Sequence, residues 1–478
     1  MKAGRGGPYA TLAVLTLVSL LTMYVEAMVI PSLPKIETAL SATSEEAAWI
    51  VSAYLVVGAA VAPLFGKLGD VYGKKKLYLA SLAVYTIAVL LAGFSPDVYY
   101  LIAIRAVQGF GFSLFPLSLA IVTDIFPKER VAMAQGIISA MVAIGMTVGM
   151  IAGAYIEEYF GWRMMFHIGF VLAALMLLFA YLIIAGVAPP QKEKVDYLST
   201  VILSSGTALI LIYLTETPYK GWFSIEQLII LIAGVVLFSG YLIYASKASN
   251  PLISLSLLKK RNVLVANLAG FLSGVAMFTL FLGVIYFSEE LPPYGLGLSV
   301  LSAALTLFPA TLAMIFIAPL AGSATSTLGP KPVLIYGSLV SMAGFLLMMY
   351  YRASPIQLVI DSFIAGVGIV SIMIPMVNMV AVSMPQENVA VGLGFNTMVR
   401  FLGSSVGPVL AATFMTDYKY YVIYSFAPNS LTEVFSEAGT LAFNYIFLTG
   451  LIFSFLTLIV AFFANNYKSE HLSVSVPA

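Results

Sequence analysis

The chain contains no cysteine, which excludes disulfides, thiol catalysis and cysteine-ligated metals. Its two histidines, His167 and His471, belong to no HExxH pattern, so no metal or haem site is expected. Charge is scarce: charged residues make up 9% of the chain, against about 25% in an average soluble domain. A net charge of +1 leaves no basic surface for nucleic acid. No nucleophile–base constellation appears, so the chain does not read as an enzyme and no cofactor is expected. No cleaved signal is expected, and the first apolar run reads as a retained span. The basic start Met1-Lys2-Ala3-Gly4-Arg5 leads into an apolar run too long for a signal core, with no small-residue cleavage site after it.

What the chain has in abundance is apolar sequence. Hydrophobic residues make up 61% of it, so it reads as an all-α integral membrane protein. A span needs about 20 apolar residues. Fourteen such runs appear, at roughly 10–33, 45–66, 77–95, 98–122, 133–155, 164–187, 197–216, 224–246, 263–288, 298–321, 333–351, 355–380, 390–414 and 441–465. Lysine and arginine alternate between loops and fix the orientation. With the N-terminus inside, the inner loops hold Lys67, Lys74 to Lys76, Lys128, Arg130, Lys192, Lys194, Lys247, Lys259 to Arg261 and Lys331. The acidic pairs Glu45-Glu46, Glu157-Glu158 and Glu289-Glu290 fall outside. Both termini are therefore expected in the cytoplasm, with the protein in the plasma membrane and in contact with its lipid.

An internal repeat divides the chain. Gly66 precedes Gly322 by 256 positions, as Gly73 precedes Gly329; Gly109 and Gly111 precede Gly366 and Gly368 by 257; Gly149 precedes Gly407 by 258. The expected organisation is a six-helix half over 1–190, an inserted two-helix hairpin over 191–250 and a second six-helix half over 251–478.

Several polar groups stand inside this apolar frame. The turn Gly66-Lys67-Leu68-Gly69-Asp70-Val71-Tyr72-Gly73-Lys74-Lys75-Lys76 joins two spans. Its glycines allow tight bends, Asp70 is placed to cap the next helix, and Gly66, Asp70, Gly73 and Lys74, with Arg130, read as a conformational latch. In the second copy Ser326 replaces the aspartate, so a latch there is expected to be weaker. Glu26 lies in the first span, roughly 12 Å below its outer end at about 1.5 Å per residue. A carboxylate there costs several kcal/mol if charged and unpaired, which suits it to reversible proton uptake. Arg105, in Arg105-Ala106-Val107-Gln108-Gly109, lies near the same depth, with Glu26, backbone carbonyls or Gln108 as its acceptors. Asp361 stands at similar depth in the twelfth span, as a proton or cation site or at a wet outer mouth. Tyr24, Gln108, Asn267, Asn378, Asn396 and Arg400 are candidate cargo contacts, the asparagines alternatively interhelical hydrogen bonds. Gly136, Gly145, Gly149 and Gly153 give the fifth span a small-residue face, either for rocking of the halves or for close packing alone. The loop at 416–440 either covers the outer mouth or moves freely.

These residues resemble the fourteen-helix drug:proton antiporter family of the major facilitator superfamily. Gly66 to Lys76 resembles its cytoplasmic loop motif, and Arg105, Gln108 and Gly109 its fourth-helix motif. Glu26 ahead of Pro31-Ser32-Leu33-Pro34 stands where the family has an acidic residue. The fifth-span glycines match the antiport motif, with Met150 in place of its proline and Ala154 in place of its last glycine. The resemblance implies two pseudo-symmetric six-helix halves plus two inserted helices. It also implies export of lipophilic, cationic small molecules against protons, with Glu26 as the proton or cation site and Arg105 in the fourth-helix motif. From the residues themselves Asp361 joins these two as a candidate coupling site, and a monomer is expected. A permease for a sugar, organic acid or lipid on the same fold is the alternative, and a non-transporting membrane sensor a further one.

Overall fold

The computed structural model describes residues 7–126, 128–184, 196–248, 251–252, 255–384, 389–424 and 433–467; at some helical positions, among them Gly66, Asp70, Arg130 and Gly136, it describes the backbone alone. The first half comprises α1 (Pro8–Ala27), α2 (Leu33–Ala39), α3 (Ser44–Tyr72), α4 (Lys74–Ala92), α5 (Val98–Gln108), a 3-10 turn (Gly109–Ser113), α6 (Leu114–Ile125), α7 (Lys128–Phe160) and α8 (Trp162–Ile183). A hairpin of α9 (Tyr197–Lys220) and α10 (Ile225–Lys247) follows. The second half comprises α11 (Leu255–Leu258), α12 (Arg261–Glu289), α13 (Val300–Leu328), α14 (Pro330–Tyr350), α15 (Pro355–Ser383), α16 (Val389–Asp417) and α17 (Thr440–Phe462). Among the described residues, 13 helical segments are long and apolar enough to cross a membrane, and the 33-residue α7 stands where the fifth span is expected.

Two departures from the sequence reading have local causes. The first span was expected over 10–33, yet α1 stops at Ala27. Pro31 lacks an N–H, and its ring would clash with the carbonyl four residues earlier, that of Ala27. The chain continues in tight turns, with Ile30 N–H donating to Ala27 O at 3.2 Å and Ser32 N–H to Val29 O at 3.1 Å. Glu26 is therefore in the last turn of α1, not in a helix interior. The second departure is an antiparallel ribbon in the 416–440 loop, β1 (Lys419–Tyr424) paired with β2 (Glu433–Ala438), so the architecture is helical with one small hairpin.

The glycine faces pack within each half rather than between halves. A Cβ on Gly145 would meet Leu20 O, one on Gly149 would meet the Tyr24 backbone and one on Gly153 the Met28 backbone. The face thus seats α1 on α7, the close packing that was one of the two readings of these glycines. The same contact recurs in the second half, where Gly403 lies against Phe271 O and Gly407 against Phe278 and Thr279, seating α16 on α12. Between the halves, α7 packs on α13 and α3 on α16, and α9 lies against both α3 and α16.

The lysine-rich end is also the end at which several helices leave their carbonyls unpaired. Lys75 donates to Ile184 O beyond α8, Lys260 to Ser383 O (2.7 Å) and Lys331 to Phe462 O (2.8 Å). Each cation meets the negative end of a helix dipole. Gly73 and Gly329 take φ +99° and +93° before α4 and α14, a conformation that favours glycine, and this explains why both survive in the repeat.

At the acidic end one side chain crosses the interface. The Glu158 carboxylate, at the end of α7, accepts from Ser299 Oγ–H at 3.3 Å and Leu301 N–H at 3.1 Å, at the start of α13. It caps a helix of the opposite half, beside the buried contact of Ala154 with Val300 and Ala304. A lost helix cap is worth about 1 kcal/mol, or about fivefold in an equilibrium. Glu158→Ala is therefore expected to lower the closed population at this end about fivefold. Cross-linking of Ala154→Cys with Ala304→Cys reads it directly, since the chain has no native cysteine; equal yields with and without Glu158 would refute the clasp.

Candidate functional site

The site forms where α1 breaks. Glu26 is 6% exposed, and among the described residues no donor reaches its carboxylate. The charges of Arg105 and Arg400 both act on it. Arg105 comes from α5 in the first half, Arg400 from α16 in the second. Tyr54 of α3 and Tyr85 of α4 are buried, and among the described residues neither hydroxyl has a hydrogen-bond partner.

Arg105, 1% exposed, is satisfied without an ion pair. Its Nε donates to Ile50 O at 3.0 Å, its Nη1 to Gln108 Oε1 at 2.7 Å, and its guanidinium lies 4.5 Å from the Tyr54 ring centroid. Gln108 in turn donates to Ala88 O at 3.2 Å. Gln108 is thus a bracket between arginine and backbone, and of the three acceptors considered from sequence the carbonyl and the glutamine are used. The helical i, i+3 spacing made that pair readable. The partners on α3 and α4 are distant in sequence and left no local signal.

Other candidates are placed elsewhere. Asp361 is 4% exposed on α15, with Oδ2 unpartnered, and no charged group acts on it. Asn396 donates to Asn267 Oδ1 (3.0 Å) and Ala266 O (3.1 Å), an interhelical bond between α16 and α12. Asn378 accepts from Tyr467 Oη at 2.8 Å, beyond the last helix. Tyr24 is buried, with its backbone against Gly149.

In the loop motif, the N-cap of α4 is Gly73, and the backbone of Asp70 lies inside the last turn of α3. Lys74 forms an ion pair with Asp124 of α6, at 2.8 Å, within the first half. The second copy replaces it with neutral bonds, Asn466 Oδ1 accepting from Lys331 N–H at 3.3 Å and Asn466 Nδ2 donating to Leu328 O at 2.9 Å. The side chains of Asp70 and Arg130, and the packing around Gly66 and Gly136, lie outside the described residues. The sequence reading missed Asp124 and the ring set Tyr54, Phe112 and Phe401. Among the described residues no cluster of acidic, histidine or cysteine side chains could hold a metal.

Comparison with known proteins follows the same lines. The sequence profile described as Major Facilitator Superfamily matches residues 15–408 and again 266–477. A relative from Aspergillus fumigatus, "Major facilitator superfamily multidrug transporter mfsC", is 31% identical over 69% of this chain and 63% of its own length. The "Tetracenomycin C resistance and export protein" of Streptomyces glaucescens is 26% identical over 86% of this chain and 77% of its own. Bacillus subtilis "Multidrug transporter protein MdtP" is 24% identical over 77% and 68%. In fold, the chain is similar to the human organic anion transporter MFSD10, with TM-score 0.64, 18% identity and coverage of 95% and 99%. The nucleoside transporter NupG gives the same TM-score at 13% identity, covering 95% and 98%.

Proposed function

The chain belongs to the Major Facilitator Superfamily, and from that premise we propose that it is a proton-coupled exporter of lipophilic, cationic compounds, working by alternating access. It is a multi-pass membrane transporter and not an enzyme. Export is supported by relatives named for multidrug transport and for tetracenomycin C export. Proton coupling rests on one observation: Glu26 is a buried carboxylate that no donor reaches among the described residues. A carboxylate so placed can exchange a proton for a cation, because each neutralises the same charge.

In this reading the halves 1–190 and 251–478 rock about the 191–250 hairpin, and cargo binds at the depth of Glu26. A proton from the acidic end displaces the cation from Glu26 and is then given up to the cytoplasm. The lysine-rich end and both termini are cytoplasmic, the membrane is the plasma membrane, and the working unit is a monomer. Asp361, buried on α15 of the second half, would serve as a separate proton or cation site.

Inverted proteoliposomes with an acid lumen test the direction. Ethidium is expected to accumulate inside and to leave when the gradient is dissipated. Ethidium exclusion, together with gradient-driven uptake of an organic acid or sugar in right-side-out vesicles, would replace export with import.

A further inference from the structure

The inserted hairpin has no counterpart in the repeat, and its contacts with the two halves differ in kind. α9 lies against α3 of the first half and α16 of the second, over the line where those two helices meet. Toward α3 it makes hydrogen bonds at two levels. The hydroxyls of Tyr197 and Tyr72 hydrogen-bond to each other at the lysine-rich end. Further along α9, inside its apolar stretch, Ser204 Oγ–H donates to Ala60 O at 2.6 Å. Toward α16 there is nothing comparable. Side-chain hydrogen bonds of α16 run to α12, from Asn396, or stay within the helix, from Ser405 and Thr413, and among the described residues none reaches α9.

The hairpin is also one body. A Cβ on Gly206 of α9 would meet Phe238 N of α10, and one on Gly234 of α10 would meet Ile210 N of α9. The two backbones are in direct approach, so α10 follows α9. The far side of α10 is bare, with Ile229, Ile232, Val236 and Ile243 exposed.

The two kinds of contact respond differently to movement. In hydrocarbon a serine has no water to replace a lost carbonyl, so the bond between Ser204 and Ala60 is kept as the halves shift. Apolar side chains packed without such a bond can slide, because lipid tails are as apolar as the surface they leave.

We infer that the inserted hairpin is a wall carried by the first half, that α16 slides past it, and that it keeps the seam between α3 and α16 closed to lipid as the halves part. The inference deepens the alternating-access reading and rests on it, but it needs neither the proton nor the identity of the cargo. It also makes the two seams between the halves unlike. Among the described residues, no helix packs on both α7 and α13 as α9 packs on α3 and α16.

The chain has no native cysteine, so labels can be placed one pair at a time. Phe223 at the hairpin tip, Phe94 beyond α4 and Ile356 at the start of α15 are all exposed at the acidic end. Spin labels on Phe223→Cys with Phe94→Cys measure the hairpin against the first half, and on Phe223→Cys with Ile356→Cys against the second. In full-length protein in nanodiscs, with and without ethidium and across a pH series, the first distance should hold while the second shifts by several ångströms. The reverse pattern, or equal shifts in both, overturns the inference. If neither distance moves under any condition, the rocking of the halves falls first and the wall falls with it.

Transport gives a second readout. Tyr72→Cys and Tyr197→Cys, bridged by a short bis-maleimide, pin the hairpin to the first half. Ethidium accumulation should continue at the rate of the unbridged pair, and arrest by the bridge alone overturns the inference. The seal is read by a spin label on Ala412→Cys of α16, which lines the gap against Ala48 and Val51 of α3. Its collisions with oxygen, which concentrates in lipid, should stay low in every state. Collisions that rise as the second half moves would show lipid entering past α9 and would overturn the seal.

Discussion

Gradient-driven ethidium accumulation falls to that of protein-free vesicles when Glu26 becomes glutamine, and downhill exchange of ethidium weakens with it, because the charge that takes up the cation is gone. Glutamine has the size of the protonated acid and no means of releasing a proton, so the variant is fixed in the proton-loaded state. The site around residue 26 is expected to tolerate a neutral side chain, because among the described residues no donor depends on its charge. Burying an unpaired carboxylate costs several kcal/mol, so its removal is not expected to unfold the protein. Folding and coupling are therefore separable here: the melting temperature should hold or rise while coupled transport is lost. Glu26→Asp, one methylene shorter, should keep part of the activity. Full pH-dependent accumulation by Glu26→Gln would end the proton-coupling account.

The second large effect is steric. A Cβ on Gly149 would meet the backbone of Tyr24, and backbone cannot turn aside as the end of a side chain can. Gly149→Ala must push α1 off α7, at a cost of about 1–3 kcal/mol. The displaced segment carries Glu26 two residues later, so coupling should fail along with stability. Gly240 is the control. It lies in α10 with nothing within 4 Å of an added Cβ, so alanine there should be neutral or stabilise the helix by about 0.5–1 kcal/mol. Thermal unfolding of the two variants in one detergent decides the matter, and equal melting temperatures would show that the glycine face does not set the α1–α7 distance.

Much of this was readable from single residues. Gly73 and Gly329 had to be glycine because the chain turns through positive φ there, and the repeat announced it. Arg105 and Gln108 sit three apart on one helix, so their pairing needed no fold. Pro31 carried the end of α1 in plain view, although the apolar run around it masked the break. The cross-half features were not readable. Phe112 and Phe401 are two phenylalanines among 31, and nothing local marks the pair that meets. Glu158 read as one more acid in an outer loop until the start of α13 was set beside it. Asn378 looked like a cargo contact because Tyr467, its partner, lies 89 residues away. In each case the missing information was which helix faces which, and hydrophobic periodicity says little about that when both water-facing and lipid-facing helices are apolar.

The most direct test of the central claim is proton release on cargo binding. Purified protein in weakly buffered detergent, titrated with ethidium across a pH series, should release protons as ethidium binds. The release should rise and fall with pH as Glu26 titrates, and it should vanish in Glu26→Gln. Ethidium binding without proton release at any pH, or release that survives Glu26→Gln unchanged, would contradict the exchange of proton and cargo at this carboxylate.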